Sequence, residues 1–184
     1  MNLSSKDKSE LLTIAKNAIE AKLQGEELPT LNLKSDILKE KRGAFVTLKK
    51  HGRLRGCIGY IRAFKPLGET VQEMAVAAAF HDPRFPSLKA GELKDLEFEI
   101  SVLSPLKKVK DVNEIEVGKH GIYIVSGYRS GLLLPQVATE YGWDRETFLQ
   151  ETCYKAGLPP DAWRHEQTEI YIFSADYFGE ENQI

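Results

Sequence analysis

The sequence predicts a compact soluble domain that mixes amphipathic helices with hairpin-connected strands. Three observations carry that prediction. Of the 184 residues, 42% are hydrophobic and 28% charged, an ordinary globular balance with enough chain to bury a core. Apolar residues recur at helical spacing near the start, after Pro66 and after Asp144. Between these stretches lie β-branched and aromatic runs bounded by glycine, and residues 96–104 alternate with period two.

The first helix is expected to be capped by Ser4 or Ser5. Leu11, Ile14, Ala15, Ala18 and Leu23 form its buried stripe, and Gly25 ends it. Residues 26–41 read mostly as loop, in which Ile37-Leu38 either anchor the segment or begin a short helical turn. Phe45-Val46-Thr47-Leu48 reads as a strand. His51-Gly52 stands where a hairpin turns, because glycine reaches positive φ without steric cost.

The returning strand carries Leu54-Arg55-Gly56-Cys57-Ile58-Gly59, which packs a cation, a thiol and two glycines into six residues. Gly56 and Gly59 leave the backbone bare on both sides of Cys57, so a ligand or another chain segment can come close. In an unbroken strand Arg55 and Cys57 share a face, and a guanidinium beside a thiol favours the nucleophilic thiolate. Three readings stand: Cys57 as a reactive thiol helped by Arg55, an anion or ligand site without covalent chemistry, and plain packing of a small apolar residue. From Lys41 to Gly68 the basic residues are Lys41, Arg42, Lys49, Lys50, Arg53, Arg55, Arg62 and Lys65, with no acid among them. That positive island suits a phosphate, a carboxylate or an acidic partner; it equally suits the solvated face of an edge hairpin.

A second helix opens at Pro66-Leu67-Gly68 and buries Leu67, Val71, Met74, Ala75 and Ala78. It must stop near Phe80-His81, because Pro83 disfavours helical geometry at Asp82. In His81-Asp82-Pro83-Arg84-Phe85-Pro86 two prolines stiffen a loop that presents Asp82 and Arg84, either to a ligand or to each other. In the strand over residues 96–104, Glu97, Glu99 and Ser101 face away from the apolar side, and charge makes Glu99 a candidate partner for Arg55. A polar connector follows, with a short strand expected at residues 115–117. Residues 121–127 form a strand, Tyr128-Arg129-Ser130-Gly131 turn it, and Leu132-Leu133-Leu134 return. Pro135 suits the first position of a short helix, where Gln136 meets free backbone N–H groups that can hold an anion. Asp144 caps the next helix, Gly157 ends it, and Cys153 lies on its buried face. Residues 169–173 form a last strand that runs into an acidic tail.

Composition also excludes classes. A net charge of −2 argues against general nucleic-acid binding, and no apolar run is long enough to cross a bilayer. The stretch Met1-Asn2-Leu3-Ser4-Ser5-Lys6 has no apolar core, so no secretory signal is expected. Two distant cysteines give no disulfide framework, and a reduced, cytoplasmic setting is expected. The four histidines show no paired ligand spacing, so no metal site is expected; no phosphate-loop, dinucleotide or Ser-His-Asp signature is present.

Six motifs in order carry a resemblance: Gly43-Ala44-Phe45-Val46-Thr47-Leu48, the hallmark at residues 54–59, Asp82-Pro83-Arg84-Phe85-Pro86, Glu99-Ile100-Ser101-Val102-Leu103-Ser104-Pro105, Gly131-Leu132-Leu133-Leu134-Pro135-Gln136-Val137-Ala138, and Cys153-Tyr154-Lys155-Ala156-Gly157-Leu158. With these the chain resembles the AMMECR-one domain family over nearly its whole length. The resemblance implies a single domain of that type over residues 1–184, with an α+β fold, a mainly antiparallel sheet, flanking helices and a smaller second lobe. It implies a cleft between lobes that holds the hallmark. It also implies membership of the AmmeMemoRadiSam set, whose members occur with a Memo-type dioxygenase-like protein and a radical S-adenosylmethionine (SAM) enzyme. No cofactor and no reaction come with it. Two functions are therefore carried forward. One is an enzyme or enzyme subunit using Cys57 with Arg55. The other is a binding module in which Arg53, Arg55, Gly56, Gly59, Asp82, Arg84, Glu99 and Gln136 contact an anionic small molecule or an acidic partner segment.

Overall fold

The structure, a computed structural model, describes residues 3–180. Met1 and Asn2 of the N-terminal stretch, and the acidic tail beyond Glu180, lie outside the described residues. Helix α1 (Ser5–Gln24) begins at Ser4, whose side chain accepts from Asp7 N–H while the Asp7 carboxylate accepts from Ser4 N–H; it ends at Gly25 in the left-handed region, φ 72°. A short helix α2 (Asp36–Lys39) follows. Strands β1 (Ala44–Lys50) and β2 (Arg53–Tyr60) form the expected hairpin. Helix α3 (Leu67–Phe80) stops at His81, as the downstream proline requires. A 3-10 turn (Ala90–Asp95) leads into β3 (Leu96–Leu103).

The remaining elements are β4 (Lys107–Lys108), a 3-10 turn (Val112–Glu114), β5 (Gly121–Ser126), β6 (Arg129–Leu133), α4 (Pro135–Glu140), α5 (Arg145–Lys155), a 3-10 turn (Ala162–Arg164), β7 (Glu169–Phe173) and β8 (Ala175–Gly179). The strand expected at residues 115–117 is absent: the paired segment is β4, and Ile115 is buried in a core instead. The β5–β6 turn is tighter than expected and falls on Gly127-Tyr128, with Gly127 at φ 60°.

Among the described residues there are two antiparallel four-stranded sheets, ordered β2-β1-β3-β8 and β4-β7-β5-β6. The chain divides into two compact units. Of the described residues, the first comprises those up to Leu103 and Asp176–Glu180; the second is Ser104–Ala175. This is the expected α+β architecture. In the first unit α1 and α3 pack on each other and on one sheet face, burying Val46, Leu48, Val71, Met74, Phe98 and Ile100. The second unit buries Ile115, Ile122, Ile124, Phe148, Cys153 and Ile172. No helix among the described residues is long and apolar enough to cross a membrane.

Candidate functional site

The site is set by one extra residue in the β1–β2 hairpin. His51 and Gly52 both have positive φ, 51° and 71°, and form the turn. Lys50 faces Arg53 and Lys49 faces Leu54, but Leu48 faces Gly56. Arg55 is therefore a β-bulge. Without it Cys57 would face Val46, whose side chain is in the core. With it Cys57 faces Thr47, and Thr47 in turn faces Glu99 of β3. Cys57, Thr47 and Glu99 thus form a row on the sheet face away from α3.

The bulge separates Arg55 from Cys57. The Arg55 guanidinium takes Glu92 with both arms, Nε to Oε1 and Nη2 to Oε2, each at 3.1 Å. Lys50 joins the same carboxylate at 3.2 Å. Lys50 and Thr47 are an odd number of residues apart on β1, so Arg55 works on the α3 face and Cys57 on the opposite one. Arg55 is 9% exposed, and its buried Nη1 has no hydrogen-bond partner among the described residues. The Arg55 hydrogen bonds hold the Glu92 carboxyl down to about 2, against the opposing effect of burial. Glu99, the partner that charge suggested for Arg55, pairs instead with Lys49 at 2.6 Å.

Arg84 stands beside Cys57. The Thr47 hydroxyl donates to Cys57 Sγ at 3.1 Å. Cys57 N–H donates to Asp82 Oδ2 at 2.9 Å, and Arg84 Nη2 donates to the Cys57 carbonyl at 3.2 Å. Arg84 also binds Asp82 through Nε at 3.0 Å and Nη2 at 2.7 Å, so the two charges on the stiff loop meet each other and the strand together. Asp82 is 4% exposed, and hydrogen bonding to Arg84 holds its carboxyl well below the usual carboxylate range. The same bond raises the Arg84 pKa, and the nearby Cys57 sulfur adds to that when it is ionised. The two glycines serve close approaches: a side chain on Gly56 would collide with the Ala78 carbonyl of α3, and one on Gly59 with the Phe45 ring.

A half-exposed row of thiol, hydroxyl and carboxylate, edged by an arginine–aspartate clamp, draws on four of the six motifs. The model of the AMMECR1 family matches residues 12–178. The chain belongs to the AMMECR1 family. A protein from Methanothermobacter thermautotrophicus is 45% identical over 97% of this chain and 97% of its own length. One from Methanopyrus kandleri is 51% identical over 78% of this chain and 74% of its own. The crystal structure of an uncharacterised protein from Pyrococcus horikoshii superimposes with a TM-score of 0.88 at 43% identity, covering 93% of this chain and 90% of that one.

In this AMMECR1-family chain the positive island is largely neutralised by acids from outside it. Arg55 and Lys50 meet Glu92, Lys49 meets Glu99, Lys65 meets Glu73, and Arg42 meets Glu40. Arg53 is exposed at the hairpin end. Gln136 lies on α4 in the other unit, where its carbonyl accepts from the Thr139 hydroxyl at 2.8 Å. Cys153 is fully buried on α5, and burial pushes its thiol pKa up. The sequence reading missed Thr47 and Glu92. Thr47 had one signal, a lone hydroxyl within an apolar strand. Glu92 had none, because its 3-10 turn comes 37 residues after Arg55.

Proposed function

We propose that this AMMECR1-family protein is an enzyme, or a subunit of one, whose working group is the Cys57 thiol. The observation that carries the proposal is the 3.1 Å contact between the Thr47 hydroxyl and Cys57 Sγ on the outward face of the hairpin. A donor to sulfur favours the thiolate, and so does a neighbouring cation. That cation is Arg84; Arg55 is committed to Glu92 on the other face and has a structural role. Asp82 fixes the backbone of Cys57 and the guanidinium of Arg84 together. In the same proposal the protein works in the cytoplasm with a Memo-type protein and a radical SAM enzyme, which co-purification with the tagged chain would test. The binding-module reading is weaker, because most cations of the hairpin already have acidic partners.

The test is alkylation of the native protein across pH, read by mass spectrometry at each cysteine. Cys57 is expected to label with a midpoint below the ordinary thiol value of about 8.5. Cys153 stays protected until denaturant is added. Arg84→Gln should move the Cys57 midpoint up, and Arg55→Lys should leave it in place. Protection of Cys57, or a midpoint at or above about 8.5, would remove the proposal.

A further inference from the structure

The outer edge of β2 is closed at one residue and open at the next equivalent one. Cys57 lies opposite Thr47, and its N–H and C=O point away from β1, where Asp82 and Arg84 take them. Along a strand the same orientation returns two residues later, so the N–H and C=O of Gly59 also point outward. No acceptor or donor meets them among the described residues. A strand added there could not run on past Cys57, because the Asp82–Arg84 clamp occupies the next position. A chain that pairs with Gly59 must therefore end or turn away beside that clamp.

The clamp is suited to such an end. Arg84 uses Nε and Nη2 on Asp82 and the Cys57 carbonyl, while its Nη1 makes no hydrogen bond among the described residues. Its side chain is 48% exposed. The Asp82 carboxylate is buried and already accepts from Cys57 N–H, Arg84 N–H and the guanidinium, so it offers an incoming anion little exposed negative charge. On the far side of Gly59, Phe64 is 61% exposed and stands edge-on to Tyr60 at 6.3 Å, an apolar contact for the approaching chain.

We infer that the open end of β2 binds the C-terminal end of an extended peptide, which runs antiparallel to β2, pairs its main chain with Gly59 and places its terminal carboxylate on Arg84 Nη1. Main-chain pairing supplies affinity for any sequence, and the carboxylate fixes direction and register. The two-residue step from Gly59 to Cys57 is roughly 7 Å, about the reach from a paired residue to a chain end one or two residues on. The inference concerns the same site as the thiol proposal but does not require Cys57 to react.

The experiment uses the full chain and a mixed-sequence pool of fluorescein-labelled hexapeptides, with free C-terminal carboxylates or with C-terminal amides. Anisotropy should show the free acids binding about tenfold more tightly, the size of one hydrogen-bonded charge. Hydrogen exchange at the Gly59 amide should slow when the free acids are added. Arg84→Gln should abolish the preference. The double variant Asp82→Asn, Arg84→Gln, which leaves no unpaired buried charge in the loop, should abolish it too. Peptide capture should persist in Cys57→Ala, which separates this inference from the thiol proposal. Equal binding of acids and amides, binding of neither, or an unchanged Gly59 amide would overturn it. So would a dimer in sedimentation whose formation alone, without peptide, slows exchange at the Gly59 amide.

Discussion

Glu92 shows how much one carboxylate can hold. It accepts from both arms of Arg55, from Lys50 and from Lys89 N–H, and so ties the 3-10 turn before β3 to the bulge in β2. Glu92→Ala leaves the Arg55 charge buried without its partner and should destabilise the fold by roughly 3 kcal/mol in urea titration. Loss of less than about 1 kcal/mol would mean the pair behaves like a surface ion pair. The same carboxylate sets an acid limit. Its pKa falls from an ordinary 4.5 to about 2 on folding, so the stability it gives is complete above 4.5 and is lost as pH drops through 2. Asp82 shifts in the same direction. The slope of stability against pH between 4.5 and 2 should therefore flatten in Glu92→Ala, measured by urea midpoints at each pH.

At the scale of elements, helix ends were legible because their signals are local. Ser4, Gly25 and Asp144 cap or terminate helices by contacts within a few residues, as the spacing predicted. The hairpin turn was legible for the same reason. The bulge at Arg55 was not, because no residue type demands it; it arises where Gly56 must pass the backbone of α3. Gly56→Ala should push α3 away and cost about 1–3 kcal/mol, read by thermal or urea unfolding. An unchanged midpoint would show that the helix yields freely. Strand β8 was missed because its partner, β3, precedes it by more than seventy residues, and five residues with one glycine carry little periodicity. Ile115 suggested a strand that does not form, because its apolar side chain serves the core and not a ladder.

At the scale of the molecule, the second unit is inserted between β3 and β8 of the first. Its two ends are held together: Ser104 N–H donates to the Ser174 carbonyl at 2.9 Å, and Ser174 N–H to Ser104 Oγ at 2.9 Å. Ends this close allow removal of an insertion. Replacing residues 104–175 by a short Gly-Ser linker should leave the first unit folded. Far-UV circular dichroism, a single cooperative urea transition and slow exchange at Val46 and Ile100 would show it. Loss of cooperativity would mean the first core cannot stand alone. By itself the sequence determined most helices and the main strands, because periodicity, caps and turn residues act over a few residues, and its motifs, through the family resemblance, pointed to the α+β class and to the candidate stretch. Only the tertiary structure decided that Cys57 faces outward, that Arg84 and not Arg55 lies beside it and that the basic stretch is largely neutralised. Those outcomes depend on a one-residue bulge, which reverses every face beyond it, and on charges that lie tens of residues apart until the sheet and its loops bring them together.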